Sequence, residues 1–132
     1  MTASPTRRAA LAALLTVPLL LAAVDGRAEE RRLDAAEIEA MLSGNTAISV
    51  GGGTAYKQYF DPSGATTYVP EGGAPSPGKW RADAAEDHYC PYWEPSGWDC
   101  YEVYSEGPDS IIWVATGSGT RYPARVDLGD QL

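Results

Sequence analysis

The sequence predicts a mainly β domain, either a small antiparallel barrel or a sandwich of seven to eight strands, with one short N-terminal helix. From residue 46 onward, short runs rich in β-branched and aromatic residues alternate with Gly, Pro, Asp and Ser. This pattern is typical of short strands joined by tight turns. The four Trp, eight Tyr and one Phe all lie after Ala55, so the β region must supply the hydrophobic core.

The N-terminus has the pattern of an export signal. Arg7 and Arg8 form a basic segment, and the apolar stretch Ala9–Val24 follows. This stretch has signal-peptide length, is short for a membrane span and is interrupted by Pro18. An uncleaved membrane anchor is the alternative interpretation.

The most favoured cleavage site follows Ala28, because Gly26 and Ala28 supply a small-x-small pattern. Cleavage after Gly26 or Ala23 stays open. We therefore predict a signal peptide at residues 1–28 and a single disulfide-stapled β domain at residues 29–132. The mature protein is expected to be periplasmic or secreted, with no membrane association after cleavage.

The mature chain is strongly acidic. Cleavage after Ala28 removes three arginines and one aspartate, so the 10 basic and 18 acidic residues fall to 7 and 17 and the net charge becomes −10. Such a surface repels phosphate backbones and anionic lipids, which disfavours nucleic acid and membrane surfaces as partners. A cationic protein, a metal cation or a neutral glycan stays open as a partner.

The first predicted element of the mature chain is a short helix in "LDAAEIEAMLSGN". Asp34 is placed to cap its N-terminus, and Glu37 three residues later completes a capping box. Gly44 can adopt the left-handed conformation that ends a helix. One face carries four apolar residues at helical spacing, namely Ala35, Ile38, Met41 and Leu42. Because so short a helix is marginal alone, we expect it to plug or cover the sheet.

Eight runs are predicted as strands. They are "TAISV", "TAYKQYF", "ATTYV", "GKWRA", "HYCPYW", "WDCYEVY", "SIIWVA" and "RYPARV". The clearest turn is "FDPSGA", in which Pro62 presets the backbone and Gly64 can supply a positive φ. The longest loop, "PEGGAPSP", is predicted to be a rim loop or a flexible lid.

The two cysteines are predicted to form a disulfide. Cys90 and Cys100 are the only cysteines, and the chain carries an export signal, which favours an oxidising compartment. A turn centred on Pro95 gives an antiparallel register in which paired residue numbers sum to 190, so Cys90 lies opposite Cys100. The same register pairs Tyr89 with Tyr101, Tyr92 with Trp98, and His88 with Glu102.

This hairpin also predicts a binding surface. Alternation places Cys90, Tyr92, Trp98 and Cys100 on one face and Tyr89, Trp93 and Tyr101 on the other. Tyr and Trp combine flat apolar faces with a polar edge, so they can stack on a small ligand or a glycan as well as pack a core. The candidate ligand-binding residues are Tyr92, Trp93, Trp98, Tyr101, Arg121 and Tyr122.

No catalytic residue, metal site or cofactor is predicted. His88 is the only histidine, and a carboxylate beside it could hold it as a general base. The sequence around Ser118, "TGSGT", lacks the Gly-x-Ser-x-Gly pattern of a nucleophile elbow. A surface pair between His88 and Glu102 is the simpler interpretation.

The order of segments resembles a family of small exported proteobacterial proteins, domain-of-unknown-function family 995. The resemblance is carried by "EIEAMLSGNT", "YFDPSGATTY", "GKWRA", the block from Cys90 to "CYEVY", and the tail "YPARVDLGD". It covers most of the mature chain and implies no activity. A second similarity, in "SGTRY" from Ser118 to Tyr122, is to the loop of periplasmic lysozyme inhibitors, which are small disulfide-bonded β-barrels.

These observations predict a non-enzymatic, lipocalin-like exported barrel that binds a protein or small ligand through an aromatic rim. The alternative is an inhibitor of a cationic cell-wall hydrolase, indicated by the acidic charge and by Arg121 and Tyr122. A hydrolase that uses His88 is the third hypothesis.

Overall fold

A computed structural model of the chain describes residues 2–4, 10–19 and 29–132. The predicted signal peptide, residues 1–28, and its cleavage site after Ala28 lie largely outside the described residues, so both stay predictions. None of the helices within the described ranges has the length and apolar character needed to span a bilayer.

Residues 29–132 form one helix and ten strands. In chain order the elements are β1 (Arg31–Arg32), α1 (Ala35–Leu42), β2 (Thr46–Ser49), β3 (Tyr56–Phe60), β4 (Ala65–Pro70), β5 (Ser76–Asp83), β6 (His88–Trp93), β7 (Gly97–Trp98), β8 (Tyr101–Ser105), β9 (Ser110–Ala115) and β10 (Arg121–Asp127).

Eight of these strands close into an antiparallel barrel. The neighbours run in the order β8, β9, β10, β2, β3, β4, β5 and β6, and β6 pairs with β8 to complete the circle. Strands β1 and β7 are additions, β1 on β8 and β7 on β6. The prediction of a mainly β domain with one short helix is confirmed, and the architecture is a barrel.

The predicted strand runs correspond closely to the observed strands, with two differences. The run "WDCYEVY" divides into β7 and β8 at Asp99 and Cys100, although the Asp99 N–H still donates to Pro91 O at 3.0 Å. Strand β1 was not predicted, since its two arginines carry no strand pattern. It forms because these residues pair with the end of β8.

Helix α1 closes one end of the barrel. Its N-terminus has the predicted capping box, in which Asp34 Oδ1 accepts from the Glu37 N–H at 2.8 Å and Glu37 Oε1 accepts from the Asp34 N–H at 3.3 Å. Ile38 and Leu42 are buried in the same cluster as Phe60 of β3. The helix is therefore a plug, and its apolar face is stabilised by the barrel interior rather than by helix propensity.

The turn between β3 and β4 is hydrogen-bonded to Trp80 of β5 at this closed end. Gly64 has a φ of +93°, as the predicted turn requires. The Trp80 indole N–H donates to Asp61 O and its backbone N–H donates to Gly64 O, both at 2.9 Å. The Trp80 ring packs edge-on against Phe60 at 5.5 Å between centroids, so the turn and the core hold each other in place.

Cys90 and Cys100 form the predicted disulfide. It lies between two stretches of strand pairing, one where β6 meets β7 and one where β6 meets β8. The register pairs on either side are Tyr92–Trp98, Trp93–Gly97 and Tyr89–Tyr101. Each of these pairs matches the predicted register. The predicted pair His88–Glu102 is not among the register pairs of residues 29–132, where the two strands meet only at Tyr89 and Tyr101 and His88 pairs with Asp83 of β5. The disulfide is therefore adjacent to the seam at which the barrel closes.

Candidate ligand-binding site

The end of the barrel opposite helix α1 contains a cavity of about 690 Å³. It is formed by the first residues of β3, β5, β8 and β10 and the last residues of β4, β6 and β9. Antiparallel order brings these termini to the same end. Because α1 and the core close the other end, the cavity has a floor, walls and one mouth, which is the arrangement of ligand sites in small barrels.

Aromatic rings form most of the cavity wall. They come from alternate positions on six strands, since side chains at every second residue point to the same side of a sheet. The rings are those of Tyr56, Tyr68, Tyr89, Trp93, Tyr101, Trp113 and Tyr122.

These rings contact one another in two groups. On one side Tyr56 lies 4.9 Å from Tyr68, and Tyr68 lies 6.0 Å from Trp93, measured between ring centroids. On the other side Tyr89 lies 4.6 Å from Trp113 and 6.1 Å from Tyr101. Such contacts hold the rings in defined positions, so the cavity wall is preorganised.

The floor of the cavity is polar. The side-chain Nε2 of Gln58 donates to Thr66 Oγ1 at 3.0 Å and to Tyr89 Oη at 2.9 Å. Thr66 Oγ1 in turn donates to the Tyr59 carbonyl at 2.7 Å, which fixes the direction of the first hydrogen bond. Both amide protons of Gln58 are therefore used, and the Tyr89 hydroxyl, which accepts from Gln58, has its own proton available to donate.

Burial favours the neutral form of four of the cavity tyrosines. Burial raises the pKa of Tyr89, and the hydrogen bond from Gln58 offsets this only in part. Burial is also the main cause that raises the pKa of Tyr56, Tyr68 and Tyr101. Neutral phenols can donate a hydrogen bond as well as accept one. The cavity therefore offers hydroxyl groups and ring faces at neutral pH, and no phenolate charge.

The mouth carries a single charge. Glu94 is the one charged residue of the cavity lining within residues 29–132, and Ser76 and Pro77 lie beside it on the rim. Glu94 Oε1 accepts a hydrogen bond from Tyr92 Oη at 2.8 Å, which holds the carboxylate at the rim, on the same side of β6 as Tyr92. The predicted rim loop "PEGGAPSP" ends in Ser76 and Pro77, so it does contribute to the mouth.

The predicted alternation of the aromatic hairpin is observed. Trp93 and Tyr101 line the cavity together with Tyr89. Tyr92 and Trp98 lie on the outer face, with ring centroids 5.3 Å apart. The candidate residues of this hairpin therefore belong to two separate surfaces.

The outer face carries basic residues on these rings. The Arg81 guanidinium lies 4.4 Å from the centroid of the Trp98 ring, and Lys79 Nζ lies 5.5 Å from that of Tyr92. Trp98 is 45% exposed. These two cations and two rings cover one another, so this face is a stabilising cross-strand cluster.

The remaining two candidates also separate. Tyr122 lines the cavity and packs edge-on against Tyr101 at 6.4 Å. Arg121, the preceding residue, points outward, and its Nη2 pairs with Glu30 Oε1 at 2.5 Å. The guanidinium also lies 5.9 Å from the Tyr104 ring. Arg121 therefore contributes to the outer surface and not to the cavity.

Nine of the twelve lining residues were not among the sequence candidates. Four of these lie on β3, β4 and β9. Tyr56 and Gln58 alternate along β3, Tyr68 lies on β4 and Trp113 on β9. Alternation in "YKQYF" does indicate that Tyr56, Gln58 and Phe60 share a face. It does not indicate that this face meets the hairpin's aromatic residues, because that depends on closure of the barrel.

His88 lies apart from the cavity lining. Its sequence neighbour Asp87 and its predicted partner Glu102 both contact other groups. Asp87 Oδ1 accepts from the Ala35 N–H at 2.9 Å, at the start of α1. Glu102 forms an ion pair with Arg32 at 3.5 Å. These contacts join Asp87 and Glu102 to groups other than the His88 imidazole.

Within residues 2–4, 10–19 and 29–132, no group of three or more His, Cys, Asp or Glu side chains is arranged to hold a metal ion. Comparison with protein-family models, curated proteins and solved structures gives no significant match for this chain.

Proposed function

We propose that the mature chain is an exported, non-catalytic binding protein that encloses a small, largely apolar organic molecule inside a lipocalin-like barrel. The observation that carries this proposal is the cavity of about 690 Å³ with its aromatic wall and single mouth. A volume of this size falls within the range of small-molecule sites in proteins.

The lining supports an apolar or aromatic ligand. Rings such as those of Tyr68 and Trp93 bury large areas on contact and lose little conformational entropy, since each already packs against a neighbour. Each Å² of apolar ligand surface removed from water contributes about 25 cal/mol of favourable free energy to binding. An apolar molecule that fills the cavity would therefore bind favourably without any further strong contact.

The floor supports orientation of that ligand. The proton of the Tyr89 hydroxyl can be donated to a ligand oxygen, since this hydroxyl oxygen already accepts from Gln58. Few, fixed polar groups at one end of an apolar cavity set the direction of a ligand. A molecule with an apolar body and one hydrogen-bond acceptor at its leading end fits this arrangement.

The disulfide supports export. Disulfides persist in oxidising compartments and are rare in the cytosol, and the chain contains the Cys90–Cys100 bond. Together with the apolar leader, this favours a periplasmic or secreted location with a mature N-terminus at Glu29. N-terminal sequencing of the exported protein tests it, and an intact Met1 in the membrane fraction would contradict it.

The binding proposal is tested with N-phenyl-1-naphthylamine, a neutral dye that fluoresces in apolar surroundings. We expect it to bind with a strong rise in fluorescence. Ser76→Phe would place a ring at the mouth and should abolish the rise. Ala36→Phe, on the exposed face of helix α1 at the closed end, is the matched control and should bind like the unaltered protein. Equal binding by both variants would contradict the cavity as the site.

The inhibitor hypothesis is the alternative proposal. It is supported by the net charge of −10 for residues 29–132 and by Tyr122 at the mouth. Calorimetry with a lysozyme tests it, and such binding should weaken steeply with salt, because attraction between opposite charges is screened beyond about 8 Å at physiological ionic strength. A hydrolase based on His88 stays a third hypothesis.

A further inference from the structure

We infer that the cavity selects an organic ammonium ion, namely an alkylated amine or quaternary ammonium group attached to an apolar body. The inference rests on the proposed function, since it names the class of ligand that the same cavity takes. Three observations support it: the density of aromatic rings, the sign of the single charge in the lining and the neutrality of the floor.

The rings are close enough to act together on one cation. A cation is attracted by an aromatic ring when it lies within about 6 Å of the ring centroid. Tyr56 and Tyr68 are 4.9 Å apart and tilted by 30°, and Tyr89 and Trp113 are 4.6 Å apart and tilted by 39°. A cation that lies beside either pair, at similar distances from both centroids, is therefore within reach of two rings at once. Phenol and indole rings are also the stronger partners in such contacts.

The charge at the mouth has the sign that a cation requires. Glu94 supplies a carboxylate, and no Lys or Arg of the described residues belongs to the lining. The nearest basic side chains on the same strands, Lys79 and Arg81, lie on the outer face against Tyr92 and Trp98. An anionic ligand such as a fatty acid would meet Glu94 without a compensating cation. The net charge of −10 carried by residues 29–132 adds to that repulsion.

The floor decides between kinds of cation. A primary ammonium group carries three N–H donors that lose water on entering the cavity, and each needs an acceptor there. Since both Gln58 protons are already used, the floor offers two acceptors, the Gln58 carbonyl oxygen and the remaining lone pair of the Tyr89 hydroxyl oxygen. That is one fewer than the three N–H donors require. A quaternary or highly alkylated ammonium group has few or no N–H donors to satisfy. It therefore suits aromatic walls better than a primary amine does.

The test compares three probes of similar size on the exported, disulfide-bonded protein, by quenching of tryptophan fluorescence and by calorimetry. Benzyltrimethylammonium carries a positive charge, neopentylbenzene is its uncharged isostere, and benzenesulfonate carries a negative charge. We expect the cation to bind about tenfold more tightly than the isostere. The anion should bind more weakly than both.

Glu94→Gln should weaken binding of the cation by about three- to tenfold and change binding of the isostere by less than about twofold. Glu39→Gln is the matched control, because it removes the same charge from an exposed position on helix α1 at the closed end. It should change neither affinity by more than about twofold.

The outcomes separate the two proposals. Equal affinity for the cation and its isostere would overturn the inference and leave the proposed function in place. The same holds if all three probes fail while N-phenyl-1-naphthylamine still binds in the cavity. Failure of the dye as well would overturn the proposed function together with the inference.

Discussion

Tyr89 of β6 lies directly opposite Tyr101 of β8, with ring centroids 6.1 Å apart. This pair joins the two strands that close the barrel, and the disulfide between Cys90 and Cys100 lies at the next position. Both tyrosines also line the cavity. The same residues therefore close the barrel and form part of the ligand-binding wall, so changes at the seam should affect both stability and the cavity.

The first prediction concerns the disulfide. Replacing both cysteines by alanine should lower the free energy of unfolding by about 2–3 kcal/mol, because the unfolded chain is no longer constrained by a short loop. The loss should be measured by urea unfolding. Hydrogen exchange should also speed up at Tyr89 and Tyr101, since the seam is held there by a single register pair. Reduction of the unaltered protein should reproduce the effect and leave the variant unchanged. Equal unfolding free energies would contradict it.

The second prediction concerns the helix that plugs the barrel. Asp34→Ala should lower the free energy of unfolding by about 1 kcal/mol, because the Glu37 N–H loses its side-chain acceptor. Asp34→Asn keeps a side-chain acceptor, so its loss of unfolding free energy should be much smaller. Thermal and urea unfolding of both variants measure this. A variant with Ala as stable as one with Asn would show that the cap contributes nothing.

The third prediction concerns the floor of the cavity. Tyr89→Phe should lower the free energy of unfolding by about 1–2 kcal/mol, because a buried Gln58 proton loses its acceptor. The double variant Gln58→Leu with Tyr89→Phe should lose less unfolding free energy than the two single variants lose in sum. The difference should be about 0.5 kcal/mol or more. The control is Tyr104→Phe, which removes a hydroxyl bonded to Glu102 on the outer surface. It should lower the free energy of unfolding by less than about 0.5 kcal/mol. Strict additivity would contradict a coupled pair.

The fourth prediction concerns alkaline pH. Tyrosine ionises near pH 10 in an unfolded chain, whereas burial raises the pKa of Tyr89 above that value in the fold. Below about pH 10 the hydroxyl is neutral in both states and this contribution to stability is complete. Above it, the unfolded chain binds fewer protons than the folded one, so the free energy of unfolding falls as pH rises.

Spectrophotometric titration at 295 nm combined with near-ultraviolet circular dichroism checks this prediction. The last tyrosines should ionise together with the loss of tertiary signal. Full ionisation of all eight tyrosines while the tertiary signal persists would contradict it.

The fifth prediction separates the two faces of the aromatic hairpin. Trp93→Ala should weaken binding of N-phenyl-1-naphthylamine by about 1–3 kcal/mol, because Trp93 lines the cavity. Trp98→Ala removes a ring from the outer face, where it contacts Tyr92 and Arg81, and should leave the affinity unchanged. Fluorescence titration measures both. Equal loss in the two variants would mean that the dye binds outside the cavity.

Local features of this chain could be predicted because short-range physics decides them. The capping box of Asp34 and Glu37 depends on residues three apart. The Cys90–Cys100 register depends on one short turn, and once the turn is placed, the pairs Tyr92–Trp98 and Tyr89–Tyr101 follow. Alternation along β6 then separates Trp93 from Tyr92, since strand side chains point to opposite faces in turn.

Other features depend on contacts between residues far apart in the chain. Alternation shows which residues share a face, but it does not show which face becomes the interior. For that reason Trp98 and Trp93 were equal candidates, and Tyr56 and Tyr68 were not recognised as their neighbours. Strand β1 likewise has no sequence pattern of its own and forms only because β8 offers it an edge.

The amino-acid order alone therefore determines most of the strands, the helix cap and the disulfide-bonded hairpin of this domain. Tertiary structure decides that the sheet closes, because the pairing of β6 with β8 and of β10 with β2 joins strands whose order around the barrel no local pattern encodes. That closure turns one face of each strand into a wall, brings Tyr68 to Trp93, and leaves Glu94 as the charge at the mouth. The cavity exists only once those long-range pairs have formed.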